Sequence, residues 1–183
     1  LPRLPGASQL LDLGTGSGAI ALALAQAIVK TGVSANSAPV ITATDRSAES
    51  LKLAEANRDR LGLSTLVDLL QSDWFEAIES GACFDIILSN PPYLTEEEYA
   101  VAEAEVKNYE PKEALVAGDA GMADLKKIIH QAAGFLAKDG ILALETGIAQ
   151  HVELIKWARE SGYSEVESHR DLCQRDRYLI LHR

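Results

Sequence analysis

The sequence predicts an α/β domain on a mostly parallel sheet, and three observations carry that prediction. Short apolar runs of β-type composition alternate with longer helical stretches along the chain. A glycine cluster, Gly14-Thr15-Gly16-Ser17-Gly18, stands between the first apolar run and the first helical stretch. An acidic residue, Asp45, closes the second apolar run. With 183 residues and 47% apolar content there is material for one substantial core, so a single domain over residues 1–183 is expected.

Taken in order, the apolar runs predict strands over residues 9–13, 40–44, 67–71, 84–89 and 140–145, with two more over 164–169 and 177–181. Helices are expected over 17–30, 47–61, 123–136 and 148–161. Ser47 suits an N-cap and Glu49 the first turn of its helix, where a carboxylate meets the positive end of the helix dipole. Gly140 and Gly162 mark turns or helix exits. Residues 94–122 are rich in Glu and lack a sustained apolar period, which predicts a long excursion after the fourth strand with short helical pieces. The polar run 170–176 has the length of a hairpin connection, so the last strand is expected to run antiparallel, at or near the sheet edge.

Composition narrows the function. Acidic residues number 27 against 17 basic, for a formal net charge of -10, which disfavours a protein that binds nucleic acid by neutralising phosphates. Cys83 and Cys173 lie far apart without metal-ligand spacing, and His130, His151, His169 and His182 share none either, so no metal site is predicted and the histidines read as ordinary surface or partly buried residues. The most apolar stretch, residues 19–29, is about half the ~20 residues that a membrane span needs. No membrane association and a reducing cytoplasmic location are expected.

The glycine cluster is the first motif with chemistry in it. Three glycines let the backbone turn sharply and bring N–H groups close to a ligand, while the following helix N-terminus adds partial positive charge. Gly14, Gly16 and Ala19 also satisfy a loose dinucleotide fingerprint, so a nicotinamide or flavin enzyme stays open at this point. Asp45, at a strand tip, is suited to accept from both hydroxyls of a ribose, or is simply a solvated residue before a helix. After the third strand, Asp73 is placed to accept from an exocyclic amine and Trp74 or Phe75 to pack on a base; the alternative is that the two rings cover the sheet edge.

Asn90-Pro91-Pro92-Tyr93 decides between these readings. It follows the fourth strand directly, at the carboxyl end where open α/β sheets bind ligands. The prolines stiffen the chain and lack N–H groups, leaving nearby carbonyls free. The Asn90 side-chain oxygen and the Pro91 carbonyl can both accept from one NH2 group, and Tyr93 can stack on the planar group that carries it. An amide or amino nitrogen held in this way is aimed at an electrophilic methyl group, a use that hydride transfer does not have for this tetrapeptide.

On these motifs the chain resembles the HemK/PrmC family of N5-glutamine methyltransferases. The likeness runs through LDLGTGSGAIALALA at 11–25, SDWF at 72–75, SNPPY at 89–93, YEPKEAL at 109–115, AGMAD at 120–124 and LALETGIAQ at 142–150. It implies a Rossmann-like, class I S-adenosylmethionine-dependent fold with a seven-stranded sheet, and methylation of the glutamine in the Gly-Gly-Gln motif of peptide chain release factors. It also implies cofactor binding by Gly14, Thr15, Gly16, Ser17, Gly18, Asp45 and Trp74, with Asn90 beside the cofactor and Asn90 to Tyr93 holding the substrate glutamine. NPPY alone is shared with methyltransferases acting on exocyclic amines of DNA or RNA; the later segments favour the protein substrate. The product would be S-adenosylhomocysteine. Glu110 falls in one of the shared segments, where it could line the substrate entrance or be a surface charge. The family carries an N-terminal helical recognition domain, which this chain, starting just before the first strand, is expected to lack. Thr146 stands where an apolar residue is expected after Glu145.

Overall fold

The computed structural model describes residues 9–32, 38–101 and 115–183. Its seven strands form one sheet in the order β3-β2-β1-β4-β5-β7-β6. They are β1 (Gln9–Leu13), β2 (Val40–Asp45), β3 (Val67–Gln71), β4 (Phe84–Ser89), β5 (Leu136–Glu145), β6 (Glu165–Arg170) and β7 (Asp176–His182). The helices are α1 (Ala19–Lys30), α2 (Ala48–Arg60), α3 (Glu96–Val101), α4 (Gly118–Gly121), α5 (Ala123–Ala132) and α6 (His151–Glu160). The chain divides into two compact units, Leu1–Ser89 with Phe135–Gly140, and Asn90–Gly134 with Ile141–Arg183.

In the first unit β1 pairs in parallel with both β2 and β4, and β2 in parallel with β3. A strand flanked on both edges and covered on both faces is mostly apolar, and in β1 Leu10, Leu11 and Leu13 are fully buried, with Asp12 the polar exception. Each such side chain contributes roughly 1.5–3 kcal/mol by leaving water. The same register sets strand ends side by side: Leu13 lies opposite Thr44 on one flank and Ser89 on the other. The Ser89 hydroxyl, buried, donates to the Leu13 carbonyl at 2.8 Å and ties the β1 and β4 tips together. Ser47 caps α2 by accepting from the Ser50 amide at 3.2 Å, with Glu49 in the first turn as expected.

In the second unit α5 buries Leu125, Ile128, Ile129 and Ala132, the i, i+3, i+4, i+7 stripe of an amphipathic helix. The Tyr163 hydroxyl donates to the Ile129 carbonyl at 2.8 Å, satisfying a buried phenol. β7 runs antiparallel to both β5 and β6, which leaves β6 at the edge. The excursion after β4 closes on itself where the Leu94 amide donates to the Leu115 carbonyl at 2.9 Å and Ala117 donates back to Leu94.

Element boundaries differ from the sequence reading at several ends, and Gly140, expected at a turn or helix exit, lies inside β5; the three largest differences among the helices have local causes. The helix expected over 123–136 ends at Ala132, because Gly134 breaks it and Leu136 is buried as the first residue of β5. The helix expected from 17 begins at Ala19, since Gly18 adopts the left-handed conformation with φ 84°. The helix expected from 148 begins at His151, because the Gly147 carbonyl and amide are taken up by Gln150 in a turn. Among the described residues no helix is long and apolar enough to cross a membrane, and no group of three or more His, Cys, Asp or Glu is placed to hold a metal ion.

Replacing Ser89 by Ala removes the bond between the β1 and β4 tips without opening a large cavity. The expected loss is about 1 kcal/mol, seen as a lower urea midpoint at unchanged denaturant slope.

Candidate functional site

The end of β1 is organised by a buried carboxylate. Asp12, 1% exposed, accepts through Oδ2 from the Thr15 hydroxyl at 2.6 Å and from the Ala21 amide at 3.2 Å, folding the glycine cluster back over the strand tip and fixing the first turn of α1. The Thr15 amide donates to the Thr44 carbonyl at 2.8 Å, which anchors the cluster to β2. Gly14, Gly16 and Gly18 take φ values of 68°, 57° and 84°, a region where a β-carbon is strained, so the turn needs glycine at these three positions. At Gly18 a β-carbon would also meet Leu22 Cδ1 at 3.0 Å, whereas at Gly16 it would meet nothing within 4 Å. The backbone at Gly16 therefore faces open space.

Asp12 Oδ1 is buried and has no hydrogen-bond partner among the described residues. Burial pushes the Asp12 carboxyl up to about 6, against the lowering effect of the bonds from Thr15 and Ala21, and the nearby Asp45 charge adds to the rise. Asp45 is itself engaged: Oδ2 accepts from the Gly16 amide at 2.9 Å and Oδ1 from the Ser47 amide at 2.8 Å. Each oxygen keeps a second lone pair for a further donor. The Trp74 ring lies against Gly14, 3.4 Å from where a β-carbon would stand, and Trp74 holds a φ of 51°. Ser72 supports that turn by donating to the Trp74 carbonyl at 2.9 Å. Asp73 and Ser17 are exposed. Phe75 parts from its neighbour: it is buried and stacks on Phe135 at 4.9 Å, so it belongs to the core.

In the second unit, Asn90 is exposed, Pro91 buried, and Pro92 and Tyr93 half-buried. Tyr93 is held at several points. Its hydroxyl donates to Glu145 Oε1 at 3.0 Å, its carbonyl accepts from Gln150 Nε2 at 2.8 Å, and the Arg177 guanidinium stands 5.4 Å from the ring centroid. Arg177 is fixed in turn, donating to the Thr146 carbonyl at 2.9 Å, while the Thr146 amide donates to the Arg177 carbonyl at 2.9 Å. The Thr146 side chain is fully buried, and its hydroxyl lies 2.7 Å from His151 Nε2. Nδ1 of His151 lies 2.8 Å from the Ser168 hydroxyl. Burial lowers the His151 pKa, which favours the uncharged ring. A polar residue is tolerated at 146 because this histidine, 5% exposed, satisfies it.

A family model described as a methyltransferase domain matches residues 6–178. The chain belongs to the methyltransferase domain family. Two curated relatives are release factor glutamine methyltransferases: that of Shewanella oneidensis is 44% identical over 170 residues, covering 93% of this chain and 56% of the relative, and that of Escherichia coli is 40% identical over 181 residues, covering 98% and 61%. This methyltransferase domain thus spans less than two thirds of those relatives. A methyltransferase of Pyrococcus furiosus shares the fold with a TM-score of 0.69 at 22% identity, over 98% of this chain and 76% of that one.

Sequence reasoning located the glycine cluster, Asp45, Trp74 and Asn90 to Tyr93, and the unit that holds β1 to β4 gathers the cluster, Asp45 and Trp74 at neighbouring strand ends. It missed Asp12, Gln150 and Arg177 as parts of the arrangement. Asp12 is hidden inside an apolar strand, and Arg177 heads the run expected as the last strand; the polar run before it is held by Arg175 on Asp171 at 2.8 Å and Arg170 on Asp176 at 3.2 Å. Gln150 had a signal, since it ends the LALETGIAQ segment. Glu110 lies outside the described residues.

Burial first, and then the neighbouring Glu145 charge, pushes the Tyr93 phenol up to about 12. Ultraviolet titration of the methyltransferase domain, with Tyr93→Phe as the blank, should place this ionisation near that value. Glu145→Gln removes the repelling charge and should bring it down toward the ordinary tyrosine range.

Proposed function

We propose that this chain is the catalytic domain of a release factor glutamine methyltransferase, which moves the methyl group of S-adenosylmethionine to the side-chain nitrogen of the glutamine in a release factor's Gly-Gly-Gln motif and leaves S-adenosylhomocysteine. The observation that carries the reading is Asn90-Pro91-Pro92-Tyr93 leaving the carboxyl end of β4, the strand in register with β1 and its glycine cluster. The names of relatives 44% and 40% identical support the substrate assignment.

The residues around β1 fit such a cofactor. A buried carboxylate oxygen without a partner among the described residues, Asp12 Oδ1, calls for a donor, and the ammonium of an amino acid moiety is one. Gly14 to Gly18 would admit the ligand close to the backbone, Asp45 retains lone pairs for ribose hydroxyls, Trp74 offers a ring face beside Gly14 for adenine, and the exposed Asp73 carboxylate can accept from the adenine amine. When bound, the cofactor supplies an electrophilic methyl group on a sulfonium.

What the chain must do is prepare the nitrogen. An amide lone pair is delocalised into its carbonyl, which makes it a poor nucleophile. Asn90 Oδ1 and the Pro91 carbonyl, accepting from the two N–H bonds, oppose that loss of electron density and fix the direction of the lone pair. Pro91 and Pro92 keep the clamp rigid, and Tyr93, anchored through its hydroxyl, gives the planar amide a surface to lie on. The nitrogen can release its proton to water after transfer, so the clamp needs no base within it. Orientation is the main source of rate.

An exocyclic amine of DNA or RNA would satisfy the same clamp, but the formal net charge of -10 is unfavourable for a polyanion. Incubation with cofactor labelled in the methyl group and a purified release factor should label the factor, and changing the Gly-Gly-Gln glutamine to alanine should abolish it. Labelling that ignores this glutamine overturns the substrate assignment.

The Asp12 assignment predicts a pH dependence of its own. With a carboxyl that titrates at about 6 in the free chain, a cationic partner favours the ionised form, so cofactor affinity should weaken as pH falls below that value. Calorimetry at pH 6 in two buffers of different ionisation enthalpy should detect about half a proton released on binding. Affinity flat across this range would count against Asp12 as the ammonium partner.

A further inference from the structure

Two segments that accompany the clamp in sequence, 120–124 and 142–150, converge on the main chain of Tyr93, a contact the chemistry described so far does not use. Gln150, 7% exposed, spans the gap between the turn after β5 and that main chain. Its Oε1 accepts from the Gly147 amide at 2.8 Å and its Nε2 donates to the Tyr93 carbonyl at 2.8 Å. The space around this bridge exists only because two neighbours are glycine. A β-carbon on Gly121, whose φ is 79°, would stand 2.2 Å from the Tyr93 oxygen and 2.6 Å from Gln150 Nε2. One on Gly147 would stand 2.9 Å from Gln150 Cδ and 3.0 Å from Oε1.

We infer that Gln150 is a positioning residue for the Asn-Pro-Pro-Tyr clamp, acting by fixing the peptide plane that follows Tyr93. The carbonyl of that peptide accepts from Gln150, and its N–H, on Leu94, donates to the Leu115 carbonyl at 2.9 Å. The peptide is thus held from both edges. The same short segment also supplies Glu145, which holds the phenol, so the two ends of Tyr93 are set by residues 145–150. Upstream, two prolines transmit that orientation to the Pro91 carbonyl and Asn90 with few torsions left to absorb error. A carboxamide is required at 150 because the site needs one acceptor and one donor on a single planar group; a carboxylate would turn an acceptor toward the Tyr93 carbonyl. The kinetic part of this inference rests on the methyl-transfer reading of Asn90 to Tyr93, whereas the peptide-fixing part does not.

The test compares the wild-type chain with Gln150→Ala and Gln150→Glu in two independent readouts. In methyl transfer to a release factor, Gln150→Ala should lose roughly tenfold to a hundredfold in kcat, while calorimetric cofactor affinity stays within about twofold of wild type. In hydrogen exchange read at single amides, Leu94 should exchange about tenfold faster in Gln150→Ala, with the amides of β1 unchanged. Gln150→Glu adds a signature that simple loss of packing does not produce: a protonated carboxyl can both donate and accept, so its activity relative to wild type should climb as pH falls from about 8 to about 6. If the wild type labels the release factor and Gln150→Ala keeps both its kcat and its Leu94 protection, the inference is overturned. Should the wild type transfer no label, the functional reading fails, and Leu94 exchange alone decides: faster exchange in the variant upholds the peptide-fixing role, and unchanged exchange overturns it. If Gln150→Ala does not fold, the pH response of Gln150→Glu decides, and a flat activity ratio overturns the inference.

Discussion

The buried carboxylate of Asp12 shapes the tip of β1 and, through it, the part of the chain that can receive a nucleotide-like ligand. A carboxylate in a strand interior is costly unless its oxygens are satisfied, and here the cost is met on one side only. Oδ2 takes the Thr15 hydroxyl and the Ala21 amide, which bends the glycine cluster and sets the start of α1 in one move. Asp45 completes the frame from β2 by accepting from the Gly16 amide. Three glycines in left-handed geometry follow from this closure, since the chain must reverse within a few residues to reach Ala21.

The second unit solves a different problem, that of holding an exposed tetrapeptide still. Asn90 is exposed and stands just past the end of β4, outside any regular element, so its precision must be borrowed. Tyr93 is where the borrowing occurs: phenol, ring face and carbonyl are engaged by Glu145, Arg177 and Gln150. Arg177 is in turn locked to the main chain of Thr146, and Thr146 to His151. A reaction that depends on directing one lone pair gains most from such support, because misdirection of an ångström is expensive while no strong acid or base is needed.

How much of this was legible in the sequence depends on the range of the interaction. Strand positions were readable because central parallel strands are largely apolar runs, and β1 and β4 fall where residues 9–13 and 84–89 predicted them. The glycine cluster and Asn-Pro-Pro-Tyr were readable because their constraints are local to a few residues. Asp12 was not, since a single polar residue in an apolar run gives no sign of where its two oxygens will point. The contacts of Gln150 and Arg177 were not, although Gln150 closes a shared segment, because their partners lie 57 residues away at Tyr93 and 31 residues away at Thr146. Thr146 looked like a departure until its hydroxyl was seen beside His151, and Phe75 looked like a companion of Trp74 until it was found stacked on Phe135.

The central claim is that Asn90 directs a planar nitrogen rather than binding the cofactor's bulk. Single-turnover transfer of labelled methyl to a release factor, measured alongside calorimetric cofactor affinity for the wild type and Asn90→Ala, addresses it directly. The account predicts a transfer rate lower by about a hundredfold or more with cofactor affinity largely kept. A variant that transfers at the wild-type rate would contradict it.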